Sequence, residues 1–342
     1  MNNFTKLLPL ISALSVFSVQ ATTVLADTQL QQAEQLFAQE KLPQAKIIFS
    51  EILSQNKSSA EALAYLARIS AKQNNFDDAE DYIKKALKFA PKDAFIQNLS
   101  GKIYGSIAQN ASIFSALGYA KKCLKGFRTA VEIIPDNIEY QQALLSFYLG
   151  APSIAGGDED LALEHAQAIN KLDVKQGYIA IGEVYSATKN KKLLAQHLSS
   201  TPAEIQNDPE ILLNKGFIYQ KQKKYFEALA SFKQAAANSK VSEHSNESKD
   251  KEILTVKFQA LYQFGKTSDV SAKQMDEGIA ALTTFIEKAP KASQLASKEW
   301  AQYRLANLLG KQGEKAKALN LYQLVVKNTE DKQLKKKAEK LL

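Results

Sequence analysis

The sequence predicts an all-α chain, a right-handed superhelical α-solenoid of about eight helix pairs closed by a short C-terminal capping helix. Three observations carry this expectation. Glycine (14) and proline (8) are scarce in 342 residues, which speaks against a turn-rich strand architecture. Apolar residues recur at helical spacing rather than in alternation. A small residue also returns at Ala45, Ala79, Cys123, Ala162, Leu194, Ala228, Gly278 and Ala318, with intervals of 34, 44, 39, 32, 34, 50 and 40. A second small position accompanies it at Ala33, Ala67, Gly101, Gly182, Gly216, Gly265 and Ala306, with Leu145 the exception. Where two small positions face each other, paired helices approach closely. Large neighbours such as Tyr104, Phe127, Tyr148, Tyr185, Tyr219, Phe232 and Tyr322 then fill the space between successive pairs.

The chain opens with a segment that stands apart from the repeats. Lys6 precedes a mostly apolar run, Leu7 to Val19, and Val24-Leu25-Ala26 supplies the side chains that a signal peptidase reads. Residues 1–26 are therefore expected to be a cleaved export signal, placing the mature protein in the periplasm. Thirteen helical residues reach about 20 Å, short of the roughly 30 Å hydrocarbon core, so the run is too short for a spanning anchor. No cysteine lies near the cut, which excludes a lipoprotein anchor, and no later stretch has the length and apolarity of a transmembrane segment. Removing the leader takes away one lysine and lowers the formal charge from +8 to +7.

The first unit shows Leu36, Ala45, Phe49 and Ile52. The second, Glu61 to Asp93, has Leu63, Leu66, Ala67, Phe76, Ala79, Ile83, Ala86 and Pro91. The pattern returns in the sixth at Leu212, Gly216, Tyr219, Tyr225, Ala228, Phe232 and Ala235. This spacing resembles the tetratricopeptide repeat, a 34-residue helix-turn-helix unit. The resemblance extends over residues 28 to 330, with repeats one to six in 27–237 and repeats seven and eight in 253–342. The fifth repeat departs from it, with Leu194 where alanine is expected. The run Tyr148, Ala151-Pro152, Gly156-Gly157-Asp158 and Ala162 resembles an exported, envelope branch of bacterial tetratricopeptide proteins. That branch implies a scaffold for envelope proteins and no enzymatic activity.

Three insertions interrupt the stride. Gly101 and Cys123 are 22 residues apart instead of 12, which predicts about ten extra residues in the turn of repeat three, near 107–119. Leu145 to Ala162 is 17, which places five more in the turn of repeat four, within 151–157. Equivalent turns lie on one edge of a solenoid, so the two insertions are expected to touch or nearly touch. Ile113, Phe114, Pro152 and Ile154 are the candidate contacts of this edge. Gly156-Gly157 permit positive φ, and Asp158 is placed to cap the next helix. The third insertion, 238–252, is polar and is expected to be a mobile loop in which His244 is exposed. Lys332 to Leu342 reads as the capping helix.

No catalytic, cofactor or metal site emerges. Phosphate-loop, dinucleotide, zincin and serine-elbow motifs are absent. One cysteine and three histidines leave metal chemistry short of ligands. Glu164 and His165 are adjacent and point about 100° apart on a helix. His197 sits among leucines, and Cys123 occupies a packing position. Only Arg68, Arg128 and Arg304 are arginines, which argues against nucleic-acid recognition.

What remains is the concave face of the first helices, which in this architecture receives a peptide or protein surface. Counting from the small positions, the groove candidates are Arg68, Lys72, Asn98, Lys102, Glu183, Asn214, Phe217, Tyr303, Arg304 and Asn307. The lysine-asparagine clamp with which some relatives hold a chaperone's C-terminal carboxylate is not reproduced, since Leu30, Glu34, Ala64 and Arg68 stand there. The expectation is a non-enzymatic scaffold of the cell envelope that binds protein or peptide partners. The alternatives are a salt-sensitive adaptor for cell wall or anionic membrane surface, and an envelope enzyme.

Overall fold

The structure, a computed structural model, describes residues 28–240 and 247–342. The expected export signal therefore lies outside the described residues, as does His244. Among the described residues every regular element is helical. The chain divides into two compact units, Met1–Leu172 and Asp173–Leu342.

The first unit holds four helix pairs: α1 (28–38) with α2 (Leu42–Gln55), α3 (Ala60–Lys72) with α4 (Phe76–Phe89), α5 (Ala94–Asn110) with α6 (Ile113–Ile133), and α7 (Ile138–Gly150) with α8 (Glu159–Leu172). The second holds α9 (Val174–Ala187) with α10 (Lys191–Ser199), α11 (Pro209–Lys221) with α12 (Tyr225–Asn238), α13 (Glu247–Ser271) with α14 (Met275–Lys288), and α15 (Lys298–Lys311) with α16 (Lys315–Asn328). It is closed by α17 (Lys332–Glu339), which buries Leu334 and Ala338 while its lysines stay in solvent.

The small-residue positions are the helix contacts. All sixteen, including Leu145 and Leu194, are buried. Close approach is required where the position is glycine. A Cβ on Gly101 would fall inside the Phe127 ring, and one on Gly216 inside the Phe232 ring. Each phenylalanine lies four residues after the small residue of its own helix, one turn on and on the same face. In the fifth pair Leu194 is accommodated by a short second helix of nine residues, with His197 against Gly182.

Six of the eight turns share a further feature. A residue seven positions after the first-helix small residue adopts the left-handed conformation: Glu40, Asn74, Lys189, Lys223, Ala272 and Gly313, with φ between 54° and 87°. Gly313 takes this backbone freely and Asn74 tolerates it, so the four others are held there by the packing of their pairs. The two pairs that lack the feature are those carrying the turn insertions.

The insertion in the third pair does not widen its turn. It lengthens the helices, to 17 residues in α5 and 21 in α6 against 13 and 14 in α3 and α4, and leaves Ala111-Ser112 as the link. Residues 107–110 and 113–119 contain no proline, so the helical hydrogen bonds continue on either side of this link. The base of this long hairpin is held by the Tyr104–Tyr119 ring stack at 6.2 Å and by the Tyr119 hydroxyl, which donates to Glu80 at 2.9 Å.

In the fourth pair the extra residues form a turn as expected, with a 3-10 segment Ser153–Ala155. Gly156 has φ 101°. Gly157 serves a different end, because a Cβ there would overlap the Ala151 carbonyl. Asp158 Oδ1 accepts from the N–H groups of Asp160 and Leu161, each at 3.0 Å, and so caps α8. This turn meets α6, where a Cβ on Gly156 would lie 2.6 Å from Leu124.

The expected loop 238–252 is shorter at both ends. Asn238 closes α12, and Glu247–Glu252 are the first turns of α13, where Glu247 and Asp250 suit the positive end of the helix dipole.

Candidate functional site

Local structure decides which groove candidates face solvent free. In the first unit, Arg68 on α3 lies with its guanidinium 4.4 Å from the Phe37 ring centre and 5.2 Å from that of Tyr65. Lys72 pairs with Glu40 at 2.9 Å, and Lys102 on α5 pairs with Glu139 at 2.7 Å. Both lysines thus link neighbouring helix pairs, as exposed ion pairs of about 0–1 kcal/mol each. Asn98 is not on the surface at all. It is 3% exposed, and its Oδ1 has no hydrogen-bond partner.

In the second unit the candidates form two groups. Glu183 on α9 and Asn214 and Phe217 on α11 line one cleft of about 330 Å³ with Ile179, Ser186, Ala187, Ile218 and Lys221. Its floor is apolar, and Phe217 meets Phe232 edge to face at 5.6 Å while remaining 39% exposed. The Asn214 Oδ1 is buried and accepts no hydrogen bond.

Tyr303, Arg304 and Asn307 on α15 form the second group, and it turns inward. Arg304 Nη1 and Asn307 Nδ2 both donate to Asp269 Oδ2 of α13, at 2.8 and 2.9 Å, and Lys311 Nζ donates to Oδ1 at 2.7 Å and to the Asp269 carbonyl. The Asn307 Oδ1 accepts from the Tyr322 hydroxyl at 2.8 Å. Tyr303 is flanked by the Trp300 and Tyr322 rings. Arg304, Asn307 and Lys311 thus hold α13 to α15, while Tyr303 packs between α15 and α16. Burial and the neighbouring Arg304 push the Lys266 ammonium below its usual range.

The edge candidates are exposed to solvent. Phe114 is 98% exposed, Ile113 90% and Ile154 77%, and Pro152 is exposed beside it.

The reactive side chains are structural. Burial drives the Cys123 thiol up to about 12, so it carries no thiolate at neutral pH. His197 Nε2 donates to the Tyr178 carbonyl at 2.9 Å, and its ring stacks on Tyr178 at 4.0 Å. His165 Nδ1 meets Gln141 Oε1 at 2.5 Å, while the Gln141 amide donates to the Pro135 carbonyl. Burial holds both imidazoles below their ordinary range. Among the described residues no group of three potential metal ligands forms, and no helix is long and apolar enough to cross a membrane.

Sequence reasoning missed Asp269, Lys311 and Lys221. The signal for Asp269 was present, since an acid four residues after Gly265 sits on the packing face of its helix.

Three family models match the chain, each described as a tetratricopeptide repeat, over residues 24–103, 209–239 and 300–328. The chain carries tetratricopeptide repeats. The matched segments include the first two units, the sixth and the eighth. Two solved structures share its fold. Yeast Tom70 is 16% identical with a TM-score of 0.59, over 92% of this chain and 63% of that one. A tetratricopeptide repeat protein from Parabacteroides merdae is 12% identical with a TM-score of 0.50, over 83% of this chain and 98% of that one. This tetratricopeptide-repeat chain thus spans less than two thirds of Tom70. No curated protein matches the sequence.

Proposed function

We propose that the protein is a non-enzymatic interaction scaffold of the bacterial cell envelope, and that it binds an extended segment of a protein partner in the α9–α11 cleft. The observation that carries this is the Glu183–Asn214–Phe217 cluster. An apolar floor of Ile179, Ala187 and Ile218 suits an aliphatic side chain, and the half-buried Asn214 side chain forms part of the wall beside it. Glu183 and Lys221 at the rim give the segment a direction. Binding to a preformed surface of packed helices orders little in the scaffold itself. The envelope assignment rests on the leader in residues 1–26 and on the resemblance of the Tyr148–Ala162 run.

A photoreactive phenylalanine analogue at position 217 tests the cleft in living cells. It is expected to capture an envelope protein, and Ile179→Asp, which places a charge on the apolar floor, is expected to weaken that capture at least about tenfold. Capture from position 217 that ignores Ile179→Asp would refute the cleft. Amino-terminal sequencing of the periplasmic fraction tests export. A chain beginning at Asp27 is expected, and an unprocessed chain confined to the cytoplasm would refute it.

A further inference from the structure

The hairpin of α5 and α6 carries an inference that lies apart from the groove. Residues 103–120 contain no charged residue, a run of eighteen at the apex of the hairpin, and no acid occurs from 94 to 131. Lys102 stands eight residues before the end of α5, and Lys121 eight residues after the start of α6. Each arm therefore meets its first cation about 12 Å below the apex. Lys122 and Lys125 follow on α6. The apex presents Ile113 and Phe114, 90% and 98% exposed, with no side chain packed over them. Ile154 belongs to a turn that meets α6 at Leu124, about 16 Å along the helix from Ile113, and so lies behind the collar of lysines.

We propose that this apex inserts into the interface of an anionic lipid bilayer, with Ile113 and Phe114 among the upper acyl chains and the lysine collar at the phosphates. Interfacial segments sink their apolar face by about 5–10 Å, which matches the uncharged height of the hairpin. The start of α6 fits the same setting. Ser112 caps none of the first N–H groups with its side chain and bonds Ser115 instead; the Ser115 and Ala116 N–H groups donate to the Ser112 carbonyl, which leaves those of Ile113 and Phe114 for a lipid phosphate. Charge complementarity is supplied by Lys121 and Lys125, which make no ion pair among the described residues. Lys102 and Lys122 are partly neutralised by Glu139 and Glu80. Asp77 and Asp78 on α4, and Glu159 and Asp160 on α8, lie at the level of the collar in the repeat register and reduce the attraction. Apolar insertion therefore supplies most of the binding, and the lysines supply the lipid preference.

Flotation of the chain from Asp27 onward, which includes every described helix, tests this with vesicles of equal parts phosphatidylcholine and phosphatidylglycerol. The protein is expected to float with these vesicles and much less with phosphatidylcholine alone. Ile113→Ser with Phe114→Ser is expected to lower partitioning by about 100-fold, on the order of tenfold for each side chain. Ile113→Leu with Phe114→Leu is expected to restore it. Lys121→Glu with Lys125→Glu should lower it about tenfold and weaken its dependence on salt. All of these side chains are exposed, so circular dichroism melts are expected to be unchanged. Absence of flotation, or equal flotation of the double serine variant, overturns the proposal. So does an apex whose loss releases a crosslinked protein without affecting vesicle binding.

Discussion

Replacing Asp269 with alanine removes the buried acceptor that holds α13 to α15. Its carboxylate is 3% exposed and receives Arg304 at 2.8 Å, Asn307 at 2.9 Å and Lys311 at 2.7 Å. Arg304 is 18% exposed and has no other carboxylate, so its charge would be left in a dry setting, whereas Lys311 at 41% can turn to water. Losing one partner of a buried pair costs about 3–5 kcal/mol, and the exposure of Lys311 puts this site at the lower end, about 3 kcal/mol. At about 2–4 °C per kcal/mol for a domain of this size, the melting temperature of the second unit should fall by about 6–12 °C. Thermal circular dichroism measures it. Lys311→Ala alone should cost about 1 kcal/mol, and in the Asp269→Ala background almost nothing, because its partner is already gone. A melting temperature within 2 °C of the parent, or full additivity of the two changes, would refute this account of the cluster.

Other outcomes follow from the same contacts. Cys123 should resist an aromatic disulfide reagent at pH 8 and react promptly in denaturant, since burial raises its thiol to about 12; rapid reaction of the native protein would contradict this. His165 and His197 are held below the ordinary value of 6.5, first by burial and then, for His165, by Arg128. The unfolded chain therefore binds protons that the folded chain refuses. Stability should be constant above pH 6.5 and fall as pH drops through the folded values, with His197→Gln flattening the fall. A melting temperature that rises between pH 7 and 5 would reverse the sign.

The fold was legible because its constraint is local and repeated. Sixteen small or aliphatic positions were read from the stride, and all are buried. The insertions were legible as lengths but not as shapes. Counting finds extra residues between Gly101 and Cys123 without saying whether they open a turn or extend two helices, and here they extend two helices. The site was less legible, because spacing fixes which face of a helix a residue takes but not what meets it there. Lys72 and Lys102 are exposed, yet they are paired across to Glu40 and Glu139. Arg304 and Asn307 face an aspartate on another helix, a contact no stride contains. Glu183, Asn214 and Phe217 were brought together because two neighbouring units in register place them side by side.

One comparison bears most directly on the claim that small residues set how these helices nest. Glycine to alanine favours a helix interior by about 1 kcal/mol wherever space allows. Gly118 and Gly216 are both helical, but a Cβ at Gly118 meets nothing within 4 Å, whereas one at Gly216 falls inside the buried Phe232 ring. Thermal melts of Gly118→Ala and Gly216→Ala should therefore move in opposite directions, the first up by a few degrees and the second down, with Phe232→Leu relieving part of the loss in the second. If both substitutions raise the melting temperature, the helices are not held in contact at these positions and the account is contradicted.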